Sequence, residues 1–301
     1  MTSGFYAKVI KDSISPAGVR LTSIEMRYCR FIHSELLTHR AFSRNSASSR
    51  AIPFLKYDAQ RRPIVNCMWS YVMNDPFLPM FLGAEKKGMQ AGEELYGSDR
   101  AAAIELIDEM RRFCLDRCAK LADLQLHKSI INRYLEPWSY ITVLVTATEW
   151  NNFFRLRIHP AAERHFDHLA RLVRDARDAS TPTALQYGQW HLPYIKDEVE
   201  QLEIEGAIHC PPHYSPAVIS SARSARLSYL THDGVRSFAE DLKLFNRLID
   251  PRTEDDQPDD AIHASPLEHV AYPLVGANTR SGNLRGWAQF RKMFAKENVQ
   301  G

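Results

Sequence analysis

Thr38-His39-Arg40-Ala41-Phe42-Ser43-Arg44-Asn45-Ser46-Ala47-Ser48-Ser49-Arg50 is the stretch on which the reading of this chain turns. Between Glu35 and Asp58 there is no carboxylate, and the gap holds Arg40, Arg44, Arg50, Lys56 and four serines. Arginine presents a planar fork of donors suited to phosphate, and serine hydroxyls with backbone amides supply further hydrogen bonds. A helix ending in such a loop can hold a nucleotide phosphate while His39 faces something flat. A solvated Ser/Arg loop without a ligand is the competing reading of the same residues.

Outward from this stretch, Phe31, Ile32, Glu35, Leu36 and His39 recur at three and four residues, which predicts a helix from about Tyr28 to Phe42. Ser43 to Pro53 reads as a serine-rich loop. Upstream, a turn at Ser15-Pro16-Ala17-Gly18 precedes a strand-like run of Val19, Leu21 and Ile24. Downstream, the spacing predicts a long helix over 98–125 with Ser98 as N-cap and Ile104, Ile107, Met110, Cys114, Cys118 and Leu121 inward. A second helix follows over 125–136. Tyr140 to Phe154 is either a buried helix or a strand, because periodicity does not separate the two. Residues 160–178 read as an amphipathic helix opening at Pro160, with Phe166, Leu169 and Leu172 inward. Ser215-Pro216 opens another over 216–227. Ser237 with Glu240 forms a capping box before Phe238, Leu242, Phe245 and Ile249. Six carboxylates and two prolines between 250 and 260 mark a solvated loop. One mixed α+β domain over 1–301 is the simplest account.

Bulk properties narrow the function classes. The chain has 301 residues, 45% hydrophobic and 25% charged, with a formal net charge of only +2. No global field points to nucleic acid or an anionic membrane, so anion binding is local. The longest apolar-leaning run, Tyr140 to Ala147, is too short to span a bilayer, and a cytoplasmic location is expected. The five cysteines (Cys29, Cys67, Cys114, Cys118, Cys210) are odd in number and unevenly spaced, which fits free thiols rather than a zinc site or disulfide framework. His165 and His168, with His159, are the alternative metal-binding reading; no metal is expected.

The stretch resembles the signature of flavin-dependent thymidylate synthases: Arg-His-Arg, seven residues, Ser, and an arginine two further on. His39, Arg40, Ser48 and Arg50 match it, and Asn45 matches an asparagine common inside the motif; Thr38 replaces the first arginine and Glu35 a usual glutamine. A second block, Asn152-Phe153-Phe154-Arg155-Leu156-Arg157, is similar to the family's Asn-Phe-Leu-x-Leu-Arg segment, although Ala162-Glu163-Arg164-His165 matches the following Ala-Gln-x-Glu only in part. Arg133, four residues before Pro137, matches the family's other nucleotide-binding arginine. A third block, Ala225-Arg226-Leu227-Ser228-Tyr229 and His263-Ala264-Ser265-Pro266-Leu267-Glu268-His269, lies near the C-terminus, whereas the family places it before the signature. That order is what a circular permutation gives.

The resemblance implies an α+β fold of helices with an antiparallel sheet, circularly permuted. It also implies FAD-dependent methylation of carbon 5 of a uracil nucleotide, dUMP or UMP, with methylenetetrahydrofolate as one-carbon donor and NADPH as reductant. By residue matching, Glu35, Ser46, Ser48, Arg50, Arg133 and Arg157 contact the nucleotide, Arg157 stabilising charge on the uracil ring. His39, Arg40, Asn45, Asn152, Ser228, His263, Ser265 and Glu268 contact the flavin. The family works as a homotetramer with shared sites, so 263–269 is expected beside 38–50, within a chain or across a subunit boundary. The Asn278–Trp287 segment reads as a surface loop before a terminal helix, or as a contact to FAD diphosphate or folate. A nucleotide- or RNA-binding relative without catalysis is the reading from another class.

Overall fold

In the computed structural model, residues 4–55, 67–207, 215–229, 237–249 and 265–294 are described. In chain order, β1 (Tyr6–Ile14) and β2 (Arg20–Cys29) are followed by α1 (His33–Leu37), β3 (Ser43–Ser46), α2 (Met68–Asn74), α3 (Gly97–Asp123) and α4 (Lys128–Ile131). Then come β4 (Tyr140–Ala147), α5 (Asn151–Arg157), α6 (Arg164–Asp178), β5 (Thr183–Ala184), α7 (Glu198–Ala207), α8 (Ser215–Tyr229) and α9 (Phe238–Ile249). The described chain closes with β6 (Ala271–Pro273), β7 (Arg280–Ser281), β8 (Leu284–Arg285) and β9 (Trp287–Gln289).

The main sheet has the order β3-β4-β2-β1-β5 and is antiparallel except for the short β1–β5 pairing. Side chains alternate across a strand, and here the alternation separates two chemistries. Ile24, Met26 and Tyr28 of β2 share a core with Ile141, Val143 and Val145 of β4, which is covered by Phe153 of α5 and Phe166, Leu169 and Val173 of α6. The opposite face carries Ser23, Glu25, Thr142 and Thr146. Its polar groups are satisfied by chain that returns over them: His191 bonds Ser13 and Ser23, His269 bonds Thr146, and Tyr194 donates to Glu25. A separate core joins α7, α8 and α9 to Leu267, Val270 and Phe290.

Several sequence expectations are corrected. β1 was not anticipated, and its mixed run (Tyr-Ala-Lys-Val-Ile-Lys) forms a strand because it pairs along β2 from Tyr6↔Arg27 to Ile14↔Arg20. The helix expected over 28–42 is limited to α1 after a 3-10 turn at Arg30–Ile32. Tyr28 and Cys29 remain in β2, and Arg44 closes the helix by donating to the carbonyls of Leu36, Leu37 and His39. Ser43–Ser46 is an edge strand against Thr146–Val143 rather than loop. Tyr140–Phe154 divides into β4 and the start of α5.

The 125–136 helix is α4 plus a 3-10 segment, Asn132–Trp138. The helix expected from Pro160 starts at Arg164, because the Glu163 carboxylate caps it through the Phe166 amide at 2.8 Å. On α3, Tyr96 holds the cap position instead of Ser98, and Met110 is exposed. Arg111, Leu115 and Cys118 are its buried residues, Arg111 donating to the Val72 carbonyl at 2.9 Å. The Ser237 cap is present, its hydroxyl accepting from the Glu240 amide at 3.2 Å. Instead of a plain loop, 278–287 contains a hairpin of Arg280–Ser281 and Leu284–Arg285, and Trp287 opens β9. The acidic 250–260 segment, Lys56 and Cys210 lie outside the described residues.

Candidate active site

Arg157 ends α5 and points back across α1. Its Nε donates to His39 Nε2 at 2.9 Å, Nη1 to Glu35 Oε2 at 3.0 Å, and Nη2 to Thr38 Oγ1 at 3.2 Å and the Glu35 carbonyl at 3.5 Å. A guanidinium has five N–H groups. These four contacts leave one N–H on Nη1 unclaimed among the described residues. The guanidinium also lies 4.5 Å above the Phe166 ring, a cation–π contact that fixes its plane.

His39 must accept from Arg157, so its proton sits on Nδ1. It is only 8% exposed, packed against Phe42 and edge-on to Phe153. Burial, and then the charges of Arg157 and Arg44, lower its pKa to about 4, so it is neutral at physiological pH. Glu35 is pushed the other way: burial raises its pKa, with the Arg157 charge opposing.

His39 and Arg157 open onto a cleft of about 600 Å³ that Thr38, Arg40, Asn152, Glu149 and Arg285 also line. Arg40 and Asn152 are exposed there, Asn152 in the first turn of α5.

A second cleft, of about 570 Å³, takes the other half of the signature: Asn45, Ser46, Ser48 and Arg50, with Ser265, His127 and Ser129. Ser48 caps a 3-10 turn through the Arg50 amide at 3.4 Å, and the side chains of Ser48 and Arg50 are exposed. Asn132 supports this turn from below, donating to the carbonyls of Ser49 and Ile52, both at 2.8 Å. Arg133 is exposed and donates to the Ser129 carbonyl at 3.2 Å, next to the cleft without lining it.

Buried Asn45 joins three segments: its Nδ2 donates to the Ser224 carbonyl of α8 at 2.7 Å, and its Oδ1 accepts from Ser265 Oγ at 3.4 Å. The 265–269 turn therefore lies against β3 within one chain, as expected for the described part of 263–269. Glu268 is ion-paired with Arg291 and borders neither cleft. His263 and the side chain of Ser228 lie outside the described residues.

The expected grouping is thus divided differently. Asn45 and Ser265, assigned to the flavin by resemblance, share a cleft with Ser46, Ser48 and Arg50, assigned to the nucleotide. Arg157, assigned to the nucleotide, shares its cleft with His39, Arg40 and Asn152.

No known protein family profile matches the chain, and no curated protein matches it. A solved structure resembles it: the UMP/dUMP methylase PolB from Streptomyces cacaoi bound with 5-Br UMP, at TM-score 0.45 and 15% identity, covering 58% of this chain and 89% of that one.

Sequence reading missed Glu149 and Arg177 as residues of the first cleft, and met Arg285 only as part of the Asn278–Trp287 segment. The only signal for Arg285 was the carboxylate-free run around it. Among the described residues, no cluster of three or more His, Cys, Asp or Glu is placed to hold a metal. His165, from the metal reading, has both nitrogens engaged: Nδ1 with Glu163, and Nε2 accepting from the amides of Met80 and Phe81. Cys29, Cys67, Cys114 and Cys118 form no disulfide. No helix among the described residues is long and apolar enough to cross a membrane.

Proposed function

We propose that this chain methylates carbon 5 of a uracil nucleotide in a flavin-dependent reaction. The observation that carries the reading is the convergence on Arg157: two separately recognised sequence blocks, 118 residues apart, meet in hydrogen bonds from its guanidinium to His39, Glu35 and Thr38. The first cleft falls within the ordinary range of small-molecule and cofactor sites, about 300–1,000 Å³. Its donor set suits a flavin: a neutral imidazole, the Asn152 amide and the exposed Arg40 guanidinium.

His39, Arg40 and Asn152 would hold the flavin. Bound there, FAD reduced by NADPH would supply the reducing equivalents, with methylenetetrahydrofolate as one-carbon donor. Arg157 would act electrostatically. Its position is fixed before substrate arrives, and its unclaimed N–H is available to an oxygen or nitrogen on which negative charge develops as carbon 5 becomes nucleophilic. Ser46, Ser48, Arg50 and Arg133 would hold the phosphate and ribose end, with Glu35 setting the Arg157 fork. Because Ser46, Ser48 and Arg50 open onto a different cleft from Arg157, with Arg133 beside it, the reading includes a homo-oligomer, expected to be a tetramer, in which the second cleft of one subunit completes the first cleft of another. It also includes a permuted order of the family's blocks.

The test offers dUMP and UMP separately to purified protein with NADPH and methylenetetrahydrofolate, following the flavin spectrum and methylated product. Flavin bleaching with dTMP or 5-methyl-UMP is expected, and the product decides between the two nucleotides. A colourless protein that cannot be reconstituted with FAD and makes neither product overturns the reading in favour of a nucleotide-binding relative.

A further inference from the structure

The first cleft has a chemistry that the signature residues do not explain. Four arginines line this cleft, Arg40, Arg157, Arg177 and Arg285, against a single acidic residue, Glu149. Arg157 is balanced by Glu35 behind it. Among the other lining residues the balance is positive, because Glu149 serves two cations: it lies 3.1 Å from Arg280 and 3.6 Å from Arg285.

Two N–H groups of these arginines are also incompletely satisfied. The Nε atoms of Arg177 and Arg285 are both buried and both lack a hydrogen-bond partner. Such groups carry a desolvation cost that an incoming acceptor removes. Arg177 is further pressed by burial and by the neighbouring Arg20 charge, which lower its pKa.

The site is built rather than incidental. Arg280–Ser281 and Leu284–Arg285 pair around the turn Gly282-Asn283, and Asn283 Nδ2 donates to the Phe42 carbonyl at 3.3 Å, tying the hairpin to the signature segment. The Arg285 amide donates to Thr148 Oγ1 at 3.2 Å, just after β4. Gly282 (φ +56°) holds a backbone conformation that other residues rarely adopt, and a Cβ there would lie 2.0 Å from Gln289 Oε1. Gly286 (φ +71°) admits Val19 so closely that a Cβ would lie 2.8 Å from its Cγ2. The hairpin thus presents Arg285 on a fixed frame in the cleft that Arg177 of α6 also lines.

We propose that Arg177 and Arg285 form a diphosphate-binding subsite in the first cleft, with Glu149 as the internal anion that faces Arg285 until the ligand's phosphates replace it. The inference rests on the proposed function only for the identity of the ligand, a dinucleotide. Forks on two separate elements suit an anion whose oxygens point in several directions, as phosphate oxygens do. A carboxylate offers two oxygens in one plane, and Glu149 already supplies that geometry. The diphosphates of a flavin dinucleotide and of a nicotinamide dinucleotide share this chemistry.

Inorganic pyrophosphate, titrated calorimetrically into the full chain, tests the subsite without either ring. Arg285→Gln and Arg177→Gln are each expected to weaken binding at least tenfold, Arg285→Lys less. Glu149→Gln is expected to tighten binding several-fold, an effect a merely structural carboxylate would not have. Melting curves establish that each variant is folded.

Titrations with FAD, riboflavin and NADPH then identify the source. The dinucleotide that loses the same factor in Arg285→Gln is the ligand, and riboflavin, lacking phosphate, binds all variants alike. Unchanged pyrophosphate and dinucleotide binding in folded Arg285→Gln and Arg177→Gln, or weaker pyrophosphate binding in Glu149→Gln, overturns the proposal. If pyrophosphate binds as expected but the wild type takes no flavin, the subsite stands and the flavin reading falls. If methylation proceeds and the variants bind normally, the reverse holds.

Discussion

The two clefts divide one signature into two physical states. Around Arg157 the residues hold one another: four hydrogen bonds and a ring contact fix the guanidinium, and His39 is buried and neutral. Around Ser48 and Arg50 the backbone is well supported by Asn132, but both side chains are exposed, and Ser48 makes only a long contact to the Arg50 amide. A preorganised donor needs no reorganisation when charge develops in front of it. An exposed Ser/Arg pair loses side-chain freedom only when its ligand binds. The first cleft has the construction of a place for chemistry, and the second that of a place for holding.

The sharpest way to break that comparison is Arg157→Ala. If Arg157 supplies charge stabilisation, turnover should fall by about 10²–10³-fold or more while FAD still binds, the scale found for removing one preorganised donor. Retained turnover in a flavin-loaded variant sinks its role. Arg157→Lys should rescue little, since an ammonium cannot reach His39, Glu35 and Thr38 from one plane.

Acid should act next, and first on the locked side. The His39 pKa is lowered to about 4, that of His33 to about 4 and that of His269 to about 3, each with burial as the largest cause. In the unfolded chain these imidazoles take up protons near pH 6.5, but in the folded chain only near their lowered values. Stability is therefore fully present above about pH 6.5 and declines as pH falls toward 4, by up to about 3 kcal/mol for His39 alone. Urea unfolding from pH 8 to pH 4 measures it. A flat profile would mean the imidazoles are not held neutral, and His39→Gln should reduce the slope.

The sequence exposed these residues unevenly, for physical reasons. His39, Arg40, Asn152 and Arg157 were readable because each sits in a short contiguous block whose residue order resembles a known motif. The hydrogen bond that joins Arg157 to His39 was not, because sequence spacing carries no information on contacts 118 residues apart. Ser43–Ser46 read as loop because its strand character comes from β4 rather than from its own propensity. Tyr140–Phe154 is ambiguous in one dimension because its strand half is defined by tertiary partners, Thr146 bonding His269 on one face while Val143 and Val145 pack with Phe166 and Leu169 on the other. Arg177 stayed hidden because ordinary surface arginines look the same in one dimension, and Arg285 stood out only through the carboxylate-free run around it.

On the open side, smaller effects are expected and of a different kind. Arg50→Gln should remove one charge-assisted hydrogen bond, worth about 1.5–3 kcal/mol, which corresponds to a rise in nucleotide KM of roughly ten- to a hundredfold, with kcat little changed. A matching fall in kcat would place Arg50 in the chemistry and dissolve the distinction between the clefts.

Asn45→Ala probes the seam between the third sequence block and the signature. It removes the bond to the Ser224 carbonyl at 2.7 Å and the longer contact from Ser265, leaving a buried carbonyl without that donor. The expected loss is about 1–3 kcal/mol of stability, read as a lower urea midpoint with an unchanged slope. Ser265→Ala gives up only the 3.4 Å contact and should cost less than the Asn45 change. If the two variants cost the same, the seam is held by Ser265 rather than by α8. The 265–269 turn would then be fixed to β3 directly, and the second cleft would be as locked as the first.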